Sequence, residues 1–145
     1  MVSFTEQIKN KAFEIGFDKI GIVRSEPLIG EGERFDEWLS KGFHAEMKWL
    51  EREPEKRKNP ALIFPDAKSI VVVALNYFTA HEHEESSEKG KVSRYAWGDD
   101  YHDVLKEKLR ELLAFIKTIN GSIEGKICVD TAPMMDKAWA VRAGL

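Results

Sequence analysis

The feature of this sequence with most chemical promise is a carboxyl placed behind a short apolar run. In "KICVD", Asp130 follows Ile127, Cys128 and Val129 directly, and "TAPMMDKAWAVRAGL" continues as a helical pattern. On a strand, alternation puts Cys128 and Asp130 on one face, with Ile127 and Val129 on the other. Thr131 is suited to cap the next helix, because its hydroxyl can accept from amides two or three residues on. Pro133 then falls in the first turn, where its missing N–H costs nothing. Asp130 is left without a capping duty, and two roles stand open. It is either a charge that favours the positive helix end from outside, or an acid at the end of a buried strand, where α/β proteins place ligands. Proton donation calls for a carboxyl whose charged form is disfavoured. Desolvation under a flat ligand works in that direction, and the helix dipole works against it.

A second group lies in "SRYAWGDDYHDVLKEKL", where Arg94, Tyr95, Trp97 and Tyr101 crowd around Gly98 just before a helix. Large flat side chains beside a glycine that admits close backbone approach suit a planar ligand; the same residues would serve equally as core packing. One of Asp99 and Asp100 is expected to cap the helix. Asp99, His102 and Asp103 share helical spacing and could face a metal, but capping accounts for the acids and no second histidine is near. A third group is "EKRKNP". Lys56, Arg57 and Lys58 read as a solvated run, or else Arg57 offers its rigid fork of donors to a ligand's amides, carboxylates or phosphates. His81 and His83 sit in a glutamate-rich loop and read as surface residues. Cys128 reads as a small core residue in preference to a reactive thiol.

These groups must be positioned by alternating helices and strands. Ser3 and Glu6 form a capping box; Phe4, Ile8, Ala12 and Ile15 recur at helical spacing, and Gly16 offers the left-handed stop. Lys19 to Arg24 reads as a β-strand rich in branched residues. Glu33 to Lys41 reads as a second helix, with Phe35, Trp38 and Leu39 on one side, and "HAEMKWLERE" as a third that stops at Pro54. "EKRKNPALIFPDAK" is expected to be irregular, since Asn59 precedes Pro60. "SIVVVALNYF" reads as a central strand covered on both faces, and "TAHEHEESSEKGK" as an exposed loop. The longest helix is expected over Asp100 to Ile119, a last strand over Lys126 to Val129, and a last helix over Ala132 to Ala143. No internal repeat is present. The alternation predicts a layered α/β (α+β) sandwich.

A chain of 145 residues is long enough to bury one domain core. Its 43% hydrophobic and 32% charged content is that of a globular domain. A net charge of −3 supplies no global attraction to nucleic acid, so any RNA contact needs a local basic patch or another domain. A single cysteine excludes an intrachain disulfide and fits a reducing cytosol; it also cannot ligate an iron–sulfur cluster, which takes four thiolates. No run approaches the roughly 20 apolar residues that span a bilayer, and Lys9 and Lys11 interrupt any leader-like core. The expected location is cytoplasmic, with no membrane partner.

Taken together, "RKNP", "SRYAWGDDYHDVLKEKLREL" and "VDTAPMMDKAWAVRAGL" resemble, in order and spacing, the N-terminal half of the epoxyqueuosine reductase family, and "KGFHAEMKWLER" fits as well. The resemblance covers essentially the whole chain. It implies a nitroreductase-like layered sandwich and an oxidoreductase that uses cobalamin and two 4Fe–4S clusters to reduce epoxyqueuosine in tRNA, the last step of queuosine synthesis. It implies that Asp130, in the "DTAP" motif, donates the proton, and that Arg57, Arg94, Trp97 and Tyr101 approach the cobalamin. No metal ligand is implied in this segment. In the family, "RAGL" runs on into a glycine-rich turn and a ferredoxin-like region with cysteine-rich cluster motifs. Residues 1–145 are therefore expected to be one partial corrinoid-binding domain, without the cluster domain and inactive in isolation. The full-length protein is expected to be a monomer with tRNA as its partner and an electron donor that the motifs do not specify. Two other readings of the same residues are a non-catalytic corrinoid-binding module and the corrin domain of a reductive dehalogenase-like protein.

Overall fold

The computed structural model describes residues 2–145 and contains five α-helices and two β-strands. Helix α1 (Phe4–Ile15) begins at Ser3, whose Oγ accepts from the Glu6 amide at 3.2 Å while the Glu6 carboxylate accepts from the Ser3 amide at 3.0 Å. It ends at Gly16 with φ of 95°, a left-handed position that glycine takes without a Cβ penalty. Strand β1 (Lys19–Arg24) pairs antiparallel with β2 (Ser69–Ala74), in a register that sets Gly21 opposite Val72 and Ile22 opposite Val71.

The two strands make a sheet with helices on both sides. Ile20, Val71 and Val73 pack toward α1 and α4 (Tyr101–Ile119), around a core of Ala12, Phe17 and Leu112. Gly21 points the opposite way, toward α5 (Asp136–Arg142). A Cβ built on it would lie 2.4 Å from the carbonyl oxygen of Ala143. The absence of a side chain at position 21 is what lets the end of α5 rest on the sheet. Trp139 fills the space beneath α5 and is 1% exposed. Arg142 reaches from α5 to Glu31 in α2 (Ile29–Ser40) through paired hydrogen bonds of 2.9 and 2.8 Å.

Several expectations are corrected. Helix α2 begins four residues before the expected Glu33, despite Gly30 and Gly32. Gly32 is required there, because a Cβ would sit 2.8 Å from the Lys58 side chain, which crosses the helix to reach Asp36. The expected helix over "HAEMKWLERE" is a series of turns and one 3₁₀ turn, Lys48–Glu51. Left-handed Gly42 and Ala45 break it, and His44 turns inward, 8% exposed, to meet Glu51 at 2.5 Å. The segment expected to be irregular contains a short helix, α3 (Pro54–Lys58), and a 3₁₀ turn, Pro60–Leu62.

Strand β2 is half-buried, not sealed on both faces, and its one ladder partner among the described residues is β1. Lys126 to Val129 forms no strand among the described residues, because a strand exists only where a ladder partner satisfies its amides. Helix α5 starts at Asp136, four residues later than expected. Thr131 does not cap it: its hydroxyl donates back to the Val129 carbonyl at 3.2 Å.

Candidate functional site around Asp130

Asp130 occupies the centre of a tight turn. The Thr131 amide donates to the Val129 carbonyl at 2.5 Å, and Asp130 between them has φ of 50°. A three-residue turn with positive φ is strained for any residue other than glycine. Its effect is to leave Val129 8% exposed in the core while Asp130 swings outward. Residue 130 thus reaches open space although the residue before it is packed.

The N-terminus of α4 receives that carboxylate. The Tyr101 hydroxyl donates to Asp130 Oδ2 at 2.8 Å, and His102 Nε2 lies 3.6 Å from the same oxygen. Asp100 caps α4, as one of the two aspartates was expected to: its Oδ1 accepts from the His102 amide and meets His102 Nδ1, each at 2.8 Å. The Tyr101 and His102 rings stack with centroids 4.1 Å apart, which restrains both. The bond to Asp130 holds the Tyr101 phenol in its neutral form and pushes its pKa up to about 12. Hydrogen bonds from His102 hold Asp100 below the ordinary carboxylate range.

Tyr101, Asp130 and Asp136 line an open cleft of about 900 Å³, which runs between β2, α4 and the 122–130 segment. Its walls are mainly apolar, with Val71, Val73, Leu105, Leu109 and Leu113 among them. Asp136, at the first turn of α5, lines the cleft and is open to solvent, yet protein packed near its carboxyl partly desolvates it. That desolvation, followed by the nearby charge of Asp130, raises its pKa, and the Arg57 guanidinium opposes the rise. Arg57 therefore belongs to the same neighbourhood. Its Nη2 donates to the Trp49 carbonyl at 3.4 Å, while its buried Nε has no protein partner. Burial pushes the Cys128 thiol up, which keeps it protonated and fits a packing residue.

The structure brings together Asp130 and Tyr101 from the residues singled out in the sequence, with Arg57 outside the cleft lining but near enough for its charge to act on Asp136. It does not bring Arg94 and Trp97 into the cleft. The Arg94 guanidinium lies over the rings of Phe78 and Trp97, at 5.1 and 5.7 Å, and donates to the His81 carbonyl. Trp97 Nε1 donates to Val92, and the ring meets His83 edge-on at 4.8 Å. These contacts make a separate surface cluster, tied to the cleft through Tyr95, whose ring meets Tyr101 at 5.9 Å. Sequence reasoning missed His102 as a partner of Asp130 and missed Asp136 altogether. The adjacency of His102 to Tyr101 at the first turn of a helix was the available clue to the former.

Fold and site together define a helix-covered α/β domain with an acid-bearing cleft. Residues 57–131 match the family model described as "Epoxyqueuosine reductase QueG, DUF1730". The chain belongs to the epoxyqueuosine reductase family. It is 44% identical, over its whole length, to the epoxyqueuosine reductase of Atelocyanobacterium thalassa (isolate ALOHA), and spans 47% of that protein. Among solved structures it is similar to an epoxyqueuosine reductase with a tRNA-Tyr epoxyqueuosine-modified stem loop, at 38% identity and a TM-score of 0.86, covering 97% of this chain and 38% of that one. It is also similar to the Bacillus subtilis enzyme with its catalytic aspartate loop swung out of the active site, at 35% identity and a TM-score of 0.84, covering 97% of this chain and 37% of that one. The chain thus spans about half the length of the curated relatives it matches. These likenesses bear out the layered α/β expectation and support the reductase reading over the binding-module and dehalogenase readings. No helix among the described residues is long and apolar enough to cross a membrane.

Proposed function

We propose that this chain is the corrinoid-binding, proton-donating part of an enzyme that reduces epoxyqueuosine in tRNA, with Asp130 as the acid. The observation that carries this reading is the Asp130 carboxylate at the cleft mouth, turned out by a strained backbone and held by Tyr101 at 2.8 Å. Such a strained turn persists only where the surroundings over-determine it, and its product here is an aimed acid. An epoxide oxygen leaves readily only when its developing negative charge is neutralised, so an acid at contact distance is what the reaction needs.

The residues present fit cobalamin. The cleft is broad and apolar, and Arg57, whose charge acts on Asp136 in the cleft wall, keeps a buried Nε with no protein partner. Arg57 would hold polar groups at the corrin periphery, and Tyr101 would line the ring's edge. Arg94 and Trp97 would act from outside the cleft, in the cluster they form with Phe78 and His83. When bound, the reduced cobalt centre supplies two electrons. Asp130 supplies a proton to the epoxide oxygen, the apolar walls exclude water, and Tyr101 keeps the carboxyl oriented.

Cys128 cannot ligate a cluster alone. The 4Fe–4S clusters, and further surface for tRNA, are assigned to the part of the relatives' length that this chain does not span. The enzyme would act in the cytoplasm.

Two measurements test the proposal. Anaerobic titration of the purified chain with cobalamin should give saturable binding that weakens in Arg57→Ala. In the complete cobalamin-loaded reductase, Asp130→Asn should lower turnover by about 10²–10⁴-fold with cobalamin affinity unchanged. Wild-type turnover in that variant would remove Asp130 from the chemistry.

A further inference from the structure

Reduction of an epoxide to an alkene consumes two electrons and two protons and releases one water. A single carboxyl holds one proton. Resting on the reading of Asp130 as the acid, we infer that His102 stores the second proton and delivers it through Asp130 within the same turnover.

Three observations carry this inference. Oδ2 of Asp130 faces two groups on α4, the Tyr101 hydroxyl at 2.8 Å and His102 Nε2 at 3.6 Å. The Tyr101 hydroxyl donates to Oδ2, so the proton of a protonated Asp130 sits on Oδ1, which has no protein partner among the described residues and is free for a substrate oxygen. Second, His102 Nε2 is buried and has no hydrogen-bond partner. A buried, unpartnered ring nitrogen costs stability and calls for a use. Third, the other nitrogen, Nδ1, meets Asp100 Oδ1 at 2.8 Å, which fixes the ring so that Nε2 is turned toward Asp130 Oδ2 at 3.6 Å.

The protons balance as follows. Asp130 gives its Oδ1 proton to the epoxide oxygen as the first C–O bond breaks; a reduced corrinoid, when bound, would supply the two electrons, which end in the alkene π bond as the second C–O bond breaks. The resulting carboxylate takes the Nε2 proton of the imidazolium on Oδ2. His102 becomes neutral and keeps Nδ1–H on Asp100. Rotation of the carboxyl about Cβ–Cγ presents this second proton to the departing hydroxyl, which leaves as water. Solvent recharges both groups after product release. With the cleft filled, bulk water approaches on the side of Asp100, whose side chain is 62% exposed. The charges that bear on the store are Asp100, Tyr101 and Lys106 on α4, Asp130 on the preceding turn, and Asp136 on α5, with Arg57 acting on Asp136.

The test uses the complete cobalamin-loaded enzyme with excess reductant. His102→Gln keeps a donor amide and cannot store a proton. It is expected to slow turnover by at least 10-fold at pH values where the wild-type store is filled, to remove the store's contribution to the wild-type pH profile, and to change a curved proton inventory in mixed light and heavy water into a linear one. Added imidazole is expected to restore much of the rate in His102→Ala. An unchanged tyrosinate titration of Tyr101 in His102→Gln would show that the carboxyl is still held, so that a structural effect is separated from a lost proton. If Asp130→Asn abolishes turnover while His102→Gln keeps wild-type rate and pH profile, the store does not exist. If Asp130→Asn is itself active, the acid assignment fails, and this inference fails with it.

Discussion

Tyr101 and Asp130 lie 29 residues apart in the chain, yet the phenol donates to the carboxylate at 2.8 Å. The bond joins the first turn of the longest helix to the strained turn at Asp130, whose φ is 50°. Its clearest consequence is spectroscopic. The Tyr101 pKa is pushed up to about 12, chiefly because ionisation would forfeit its hydrogen bond to Asp130, with desolvation and the Asp130 charge acting in the same direction. The neutral donor therefore persists above the usual phenol value of 10.0, and the bond is lost as pH rises through about 12. Tyrosinate absorption should show one late-titrating phenol in the wild type, and that phenol should return toward the ordinary value in Asp130→Asn. An unshifted titration in the wild type would mean that the two groups do not meet in solution.

Gly21 tests the seating of α5 on the sheet. Since a Cβ there would lie 2.4 Å from a backbone oxygen, Gly21→Ala must displace the end of α5. We expect a loss of about 1–3 kcal/mol in denaturant unfolding. Gly98, beside which a Cβ would meet nothing within 4 Å, should accept alanine with little change and serves as the control.

Leu112 tests the core shared by α1, α4 and the sheet. It is 2% exposed and packs with Ala12 and Phe17. Leu112→Ala should cost about 2–5 kcal/mol by the same measurement. The wall of the cleft would loosen with it, so on the proposed cobalamin reading affinity for that cofactor should fall in parallel with stability.

The Glu31–Arg142 pair gives a pH dependence of defined sign. Hydrogen bonds from Arg142 lower the Glu31 pKa from 4.5. A carboxyl with a depressed folded-state pKa contributes stability that is fully present above its unfolded value. That stability is lost as pH falls through the folded value. Unfolding between neutral pH and the acid range should show this loss in the wild type and less of it in Glu31→Gln. Because both side chains are partly solvated, the pair is worth about 1 kcal/mol or less.

Val141 is 74% exposed on α5, beside half-buried Met134 and Ala138. An apolar residue so open on a short helix favours association, and concentration-dependent sedimentation of the isolated chain is expected. Val141→Lys should reduce it. A monomer at all concentrations in the wild type would contradict the expectation.

Local chemistry alone determined a good part of this protein. The Ser3–Glu6 box and Gly16 bounded α1, branched residues marked β1 and β2, and Asp100 marked the start of α4, because caps and periodicity act within a few residues of themselves. The "VDTAP" stretch was enough to single out Asp130. Tertiary structure decided everything that depends on distant partners. Whether Lys126 to Val129 becomes a strand depends on a neighbouring strand. Whether Gly32 can sit inside α2 depends on Lys58, 26 positions later, crossing above it. That Asp130 faces Tyr101 and His102, while Arg94 and Trp97 turn to their own cluster, follows from how α4 packs on the sheet. Sequence pattern reports what a residue can do for its neighbours in the chain; which carboxyl meets which ring is set by packing between elements that have no shared local signal.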